Sequence, residues 1–212
     1  MRQDELMLEV PNYRNQPESF TVSAQEQAAY EELGLSEDLQ LADTTAAYFG
    51  FASLEQSLRL QEHFQIGNGT ELDVPVDQLL RDEPDLEDQL LSLLSAELAV
   101  INEPTTEAPT TFDTGWMSYE AIEGDWSLAL ATFDFRLIGE IVPGGQDDVE
   151  ATALRYRVFI ADVYDFELGD WRTDHLARLA LHGFAHEFRV TGSSATTCLA
   201  GPDFELLEFL PS

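Results

Sequence analysis

Two long stretches of this chain alternate apolar and polar residues with a period of two, and nothing else in the sequence restricts its fold so strongly. In Trp126 to Ile141, Ala129, Ala131, Phe133, Phe135, Leu137 and Ile141 share one face, whereas Thr132, Asp134, Arg136 and Glu140 share the other. From Glu150 to Phe166, Leu154, Tyr156, Val158 and Ile160 form a second apolar stripe. Successive side chains of a strand point to opposite faces, so both runs read as strands buried on one side. Pro143-Gly144-Gly145-Gln146-Asp147-Asp148 between them is turn chemistry, and the pair is expected to form an antiparallel β-hairpin with long strands. Asp134 and Arg136 would then meet Arg155 and Arg157 across it.

Upstream the pattern is helical. Residues 1–20, with Pro11 and Pro17, read as an extended arm, and residues 21–103 as a helical region. Ser23-Ala-Gln-Glu26 and Ser53-Leu-Glu-Gln56 both have the form of a capping box, in which a hydroxyl and a carboxyl or amide group satisfy free N–H groups at a helix start. The second box opens a helix with Leu54, Leu58 and Phe64 inward, stopped by Gly67-Asn68-Gly69. A further helix runs from about Asp85 to Ile101 with Leu86, Leu90, Leu93, Leu94 and Leu98 on its core face. Residues 104–111, Pro-Thr-Thr-Glu-Ala-Pro-Thr-Thr, are a linker in composition, and residues 112–212 are the β-rich part. Within it Asp174 is expected to cap a short helix that carries Leu176, Leu179 and Ala180 inward and stops at Gly183. Phe184 to Val190 should form a third strand and Phe204 to Leu210 an edge strand. The fold class is therefore α+β: a helical N-terminal part followed by a hairpin-based antiparallel sheet with one short helix.

The charge narrows the function. There are 41 acidic against 10 basic residues, a formal net charge of −31, and every basic residue is Arg. Such a field repels phosphate backbones and anionic headgroups, which excludes ordinary binding to nucleic acid or to a membrane surface. A salt-adapted, halophile-type surface accounts for the acidity more simply than mimicry of DNA does. No run approaches the ~18 apolar residues of a membrane span. Cys198 is the only cysteine, so no internal disulfide can form. Met1 to Leu6 is acidic and lacks an apolar core, so the protein is expected in the cytoplasm, or exported by a route without a cleavable signal peptide.

Chemistry is expected around Asp162-Val163-Tyr164-Asp165. Continuing the period of two, Asp162 and Tyr164 fall on the apolar face of the second strand, and Asp165 on the opposite one unless the strand ends before it. An acid closing an apolar stripe is desolvated, which raises its pKa and suits it to proton transfer. The simpler alternative is a strand-end carboxylate that caps a loop or pairs with Arg172. His182 and His186 stand four apart, as zinc ligands do, but Gly183 interrupts the helix that would align them. No thiolate pair, EF-hand spacing or phosphate-cradling glycine loop is present, so no metal ligand is assigned and any cofactor is left open.

The stretch from Tyr156 to Phe166, followed by Leu179-Ala-Leu-His-Gly-Phe-Ala-His-Glu-Phe-Arg-Val-Thr-Gly-Ser193, resembles a group of mostly actinobacterial proteins of unassigned chemistry. In them a hairpin leads to an Asp-x-Tyr-Asp/Asn-aromatic turn, a helix and a Gly-x-Ala-x-Glu-Phe-x-Val-x-Gly strand. Some look like toxin tips of secretion systems. Asp162, Tyr164 and Asp165 are also similar to the motif of colicin M-type bacteriocins, which cleave the lipid-linked peptidoglycan precursor. Arg172 falls where that family has its Arg, whereas Trp171 stands at the position of its His. The resemblance implies Asp162 as acid/base, Arg172 on pyrophosphate, Tyr164 orienting the pair, Asp165 beside them, and His175 as a substitute for the missing His. It also implies a protein partner of the immunity or secretion kind. The other reading is a non-catalytic interaction protein.

Overall fold

Alternation of apolar side chains builds the two longest strands. In the computed structural model, which describes residues 35–100, 109–142, 153–169 and 173–200, these strands are β4 (Thr132–Val142) and β5 (Ala153–Tyr164). Phe133, Phe135, Leu137 and Ile141 of β4 are buried in alternation with more exposed neighbours, as a half-buried strand requires. The other strands are short: β1 (Leu72–Asp73), β2 (Thr110–Asp113), β3 (Met117–Glu120), β6 (Phe188–Ser193) and β7 (Thr197–Ala200). They join one seven-stranded sheet of order β1-β6-β5-β4-β2, with β3 also pairing β4 and β7 also pairing β5. β2 and β3 both run antiparallel to β4, placing Phe112 opposite Gly139 and Tyr119 opposite Phe133. β7 runs antiparallel to β5, with Leu154 opposite Leu199. The fold is α+β, and β4 and β5 are neighbours in the sheet. Residues 143–152, where the connecting turn is expected, lie outside the described residues, as do the arm, the Ser23 capping box and the Phe204–Leu210 strand.

The helices are α1 (Leu35–Phe51), α2 (Glu55–Ile66), α3 (Val76–Asp82), α4 (Pro84–Val100), α5 (Gly124–Ala129) and α6 (Asp174–Leu181). The chain divides into two units, each gathered from three stretches. One holds the residues up to Leu72, Ile122–Ala131 and Ala161–Val190; the other holds Asp73–Ala121, Thr132–Ile160 and the residues from Thr191 onward.

In the first unit, α2 starts differently from the expected capping box. Its N-cap is Leu54, which makes no side-chain cap bond, and Ser53 takes a left-handed φ of 57°. The cap comes from Asp125 instead: the N–H groups of Gln56 and Ser57 donate to its two carboxylate oxygens at 2.7 and 2.8 Å. The Ser57 hydroxyl also donates to Asp125 Oδ1 at 2.5 Å. With this start, Gln56, Ser57, Leu60, Gln61 and Phe64 face inward, while Leu54 and Leu58 are only half-buried. The amide of Gln61 donates to the Ala42 carbonyl at 2.7 Å and joins α2 to α1. Asp125 itself lies in α5, whose residues from Trp126 onward, expected to open a strand, are helical. Trp126, Ala129 and Leu130 are buried at steps of three and four, so this end of the alternating run obeys the helical period, and Ala131 at φ 54° turns the chain into β4. At the other end of the unit, α6 closes as a Schellman motif: Gly183 (φ 74°) donates to the Ala180 carbonyl at 3.0 Å and Phe184 to Leu179 at 2.9 Å. With its N–H spent on the helix, Phe184 cannot begin a ladder, and the strand expected from Phe184 starts at Phe188.

In the second unit, Leu86, Leu90 and Leu94 of α4 are buried, as its leucine spacing predicts. The buried Tyr119 hydroxyl donates to Glu83 Oε2 at 3.0 Å, and its pKa is pushed up to about 12, first by burial and then by that carboxylate. The expected charge pairing between β4 and β5 is mostly replaced by other partners. Arg136 makes a two-pronged bond to Asp113 and stacks over Trp116, while Asp134 accepts from the Ser118 hydroxyl at 2.5 Å. Arg157 donates to the Ser194 carbonyl and the Ser193 hydroxyl. Arg155 does reach a residue of β4, Glu140 at 3.5 Å, where both side chains are exposed enough that the pair contributes little.

Candidate functional site

The site residues expected from the sequence fall on the end of β5 and on α6. Along β5, Leu154, Val158, Ile160 and Tyr164 are buried and Asp162 is half-buried, which is the face the period of two assigns to them. Asp162 Oδ1 accepts the N–H of Val163 at 2.7 Å, so the carboxylate is held against its own strand. β5 ends at Tyr164, and the half-buried Asp165 therefore lies beyond the ladder that would have turned it toward the arginines. Arg172 and Trp171 lie outside the described residues.

Tyr164 is sealed among aromatic rings. Phe64, Phe166 and Phe188 surround it at centroid distances of 5.7, 5.0 and 5.1 Å, two of them edge-on, the arrangement that ring quadrupoles favour. Only 7% of it is exposed, and burial raises its pKa further above an already high value. At neutral pH it is a phenol set in an apolar cluster. The end of β5, the start of β6 and the inward phase of α2 bring these rings together.

His175 is on the buried face of α6, 4% exposed, and neither ring nitrogen has a hydrogen-bond partner among the described residues. Next to it, Arg178 makes a two-pronged bond to Asp38 of α1, Nε to Oδ2 at 2.8 Å and Nη2 to Oδ1 at 2.6 Å. Thr173 rather than Asp174 occupies the N-cap of α6, and Asp174 instead accepts the N–H of Gly169 at 2.7 Å. Burial lowers the pKa of His175, and Arg178 adds to this, while Asp38 and Asp174 oppose it. A base whose folded pKa lies below its unfolded one contributes stability that is complete above the unfolded value of about 6.5 and is lost as pH falls from there toward the folded value. The difference in urea midpoint between the parent and His175→Phe should therefore shift in favour of the variant as pH drops from 7.5 to 5.5. An identical difference at every pH would show that His175 charges freely in the folded state.

Among the described residues no group of three or more His, Cys, Asp or Glu side chains is placed to hold a metal ion, and no helix is long and apolar enough to cross a membrane. No family model matches the chain, and no curated protein matches it. Solved structures of a bacteriocin are similar to it. One is the truncated bacteriocin syringacin M of Pseudomonas syringae pv. tomato DC3000, at 18% identity over 69% of this chain and 59% of that one, with a TM-score of 0.36. Another is a syringacin M mutant from the same strain, at 19% identity over 68% of this chain and 51% of that one, also with a TM-score of 0.36. The chain thus spans less than two thirds of the length of either. Scores of this size assign neither fold nor chemistry.

Asp125, Phe64 and Phe188 come from distant segments; Asp125 carries no mark in the sequence, and the other two show only that Phe64 falls on a helical face and Phe188 on an alternating run.

Proposed function

We propose that the chain is a toxin-like effector domain that acts on a phosphate-containing cell-envelope precursor, with Asp162 as its acid/base. The observation that carries this reading is the state of Asp162: a carboxylate left half-exposed at the end of a strand face whose other members are apolar and mostly buried. A carboxylate there is partly desolvated yet within reach of a substrate, the combination that proton transfer needs. Arg172 is the residue that would hold a phosphate, since a guanidinium presents paired donors to such an anion. Tyr164 and His175 enter this proposal as packing residues that set the end of β5 and the position of α6. An immunity or secretion partner belongs to the same reading.

The test is expression of the chain in the bacterial periplasm and in the cytoplasm, alongside Asp162→Asn. Periplasmic expression of the parent should stop growth, cytoplasmic expression should not, and Asp162→Asn should reduce periplasmic killing by at least about 100-fold. Equal harmlessness in both compartments would reject the proposal.

A second reading, a non-catalytic interaction protein, is favoured by the burial of Tyr164 and His175, which leaves two of the five expected site residues without access to a substrate. It expects Asp162→Asn to lower the melting temperature and no turnover with any envelope precursor.

A further inference from the structure

Helix α1 carries an apolar stripe that the described residues leave uncovered. Its inward side is occupied: Ala42 is fully buried, its carbonyl accepts from Gln61, and Asp38 is tied to Arg178. On the outward side Leu41 is 49%, Tyr48 59% and Phe51 91% exposed. Positions 41, 44 or 45, 48 and 51 step by three and four residues, the spacing of a helical seam. The two threonines inside the stripe turn their hydroxyls back onto the helix, Thr44 to the Gln40 carbonyl at 2.7 Å and Thr45 to Leu41 at 2.9 Å. Their polar atoms are thus satisfied, and the stripe could be covered without stranding them. Every other large apolar side chain left exposed among the described residues also belongs to the first unit; the second has none. The charges beside the stripe are of one sign. Glu37 and Asp43 are exposed, and α1 has no basic residue.

We propose that this face of α1 is the docking surface for a basic amphipathic helix of a partner protein, with apolar anchors at helical spacing and Arg or Lys at their flanks. The apolar seam fits the helix-on-helix mode, and Tyr48 and Phe51 are the residue types that dominate such contacts. The flanking acids select the sign of the partner. A second copy of this chain would set like charges beside like at a net charge of −31 per copy, and an anionic membrane meets the same field. The inference is independent of any role of Asp162.

The test titrates the full-length protein with a fluorescent three-heptad helix of Leu and Lys, read by anisotropy at physiological salt, with a Leu and Glu counterpart as control. Saturable one-to-one binding of the Lys helix is expected, with none of the Glu helix. Tyr48→Ser with Phe51→Ser should weaken binding at least about tenfold. Ile122→Ser, an exposed apolar residue of the same unit outside α1, should leave it unchanged. Tyr48 and Phe51 are outside the core, so the double variant should keep the parent's circular dichroism spectrum; Phe51→Ser alone, at the most exposed position, serves if it does not. Binding that survives loss of both aromatics would mean acidity alone attracts the helix and would overturn the proposal. So would the absence of saturable binding, or a dimer by sedimentation that Phe51→Ser abolishes.

Discussion

Replacing Asp125 with Ala is expected to destabilise the protein by about 2–3 kcal/mol, chiefly from two buried helix-start N–H groups that lose their acceptor. The free N–H groups of a helix's first turn must be met by something, and α2 has no local candidate because Leu54 occupies its N-cap. Asp125 meets two of them, and a carboxylate there also opposes the positive end of the helix dipole. Ser57 is fully buried, so water cannot take the place of the carboxylate at its hydroxyl, although the Asp125 carbonyl at 2.9 Å still can. Urea denaturation should show a lower midpoint with an unchanged slope. Asp125→Asn, which keeps one carbonyl oxygen, should recover part of the loss. In a double-mutant cycle, Asp125→Ala and Ser57→Ala should couple by about 1 kcal/mol or more. A loss below about 1 kcal/mol for Asp125→Ala would mean that the start of α2 is satisfied without it.

Gly192→Ala should cost about 3 kcal/mol for a different reason: the site has no room for a methyl group. A Cβ on Gly192 of β6 would lie 2.6 Å from the Val74 carbonyl oxygen and 2.8 Å from Val76 Cγ2. Val74 cannot retreat without breaking its own bond, because its N–H donates to the Thr191 carbonyl at 2.8 Å. Gly115→Ala is the natural comparison. Its φ of 71° disfavours a side chain, but nothing lies within 4 Å, so only the backbone penalty of about 1 kcal/mol should appear. Equal losses at the two positions would show that β6 can move away from Val74.

The parts of this fold that were legible in the sequence are those in which one periodicity persists. β4 keeps the period of two over its eleven residues and β5 keeps it from Leu154 to Ile160, and the leucines of α4 keep the helical one. The Schellman stop at Gly183 was legible because it depends on neighbouring residues alone. What could not be read was decided by distant partners or lay in elements too short to show a period. β1 and β3 have two and four residues, and α5 has six. Ser53-Leu-Glu-Gln56 has the form of a cap, yet Asp125, 69 positions downstream of Gln56, does the capping. At the candidate site, the face of Asp162 followed from strand parity. The seal around Tyr164 did not, because Phe64 and Phe188 reach it from other elements.

The division into two interleaved units has a consequence for how the chain leaves the ribosome. The first unit needs the stretch Ala161–Val190, and the second needs the residues from Thr191 onward. Synthesis proceeds at roughly 5–20 residues per second, so the early helices wait several seconds beside incomplete partners. Phe64 and the outward aromatics of α1 are then open to other chains. Aggregation during expression should therefore track the speed of translation through the second half of the message more closely than the equilibrium stability of the finished protein.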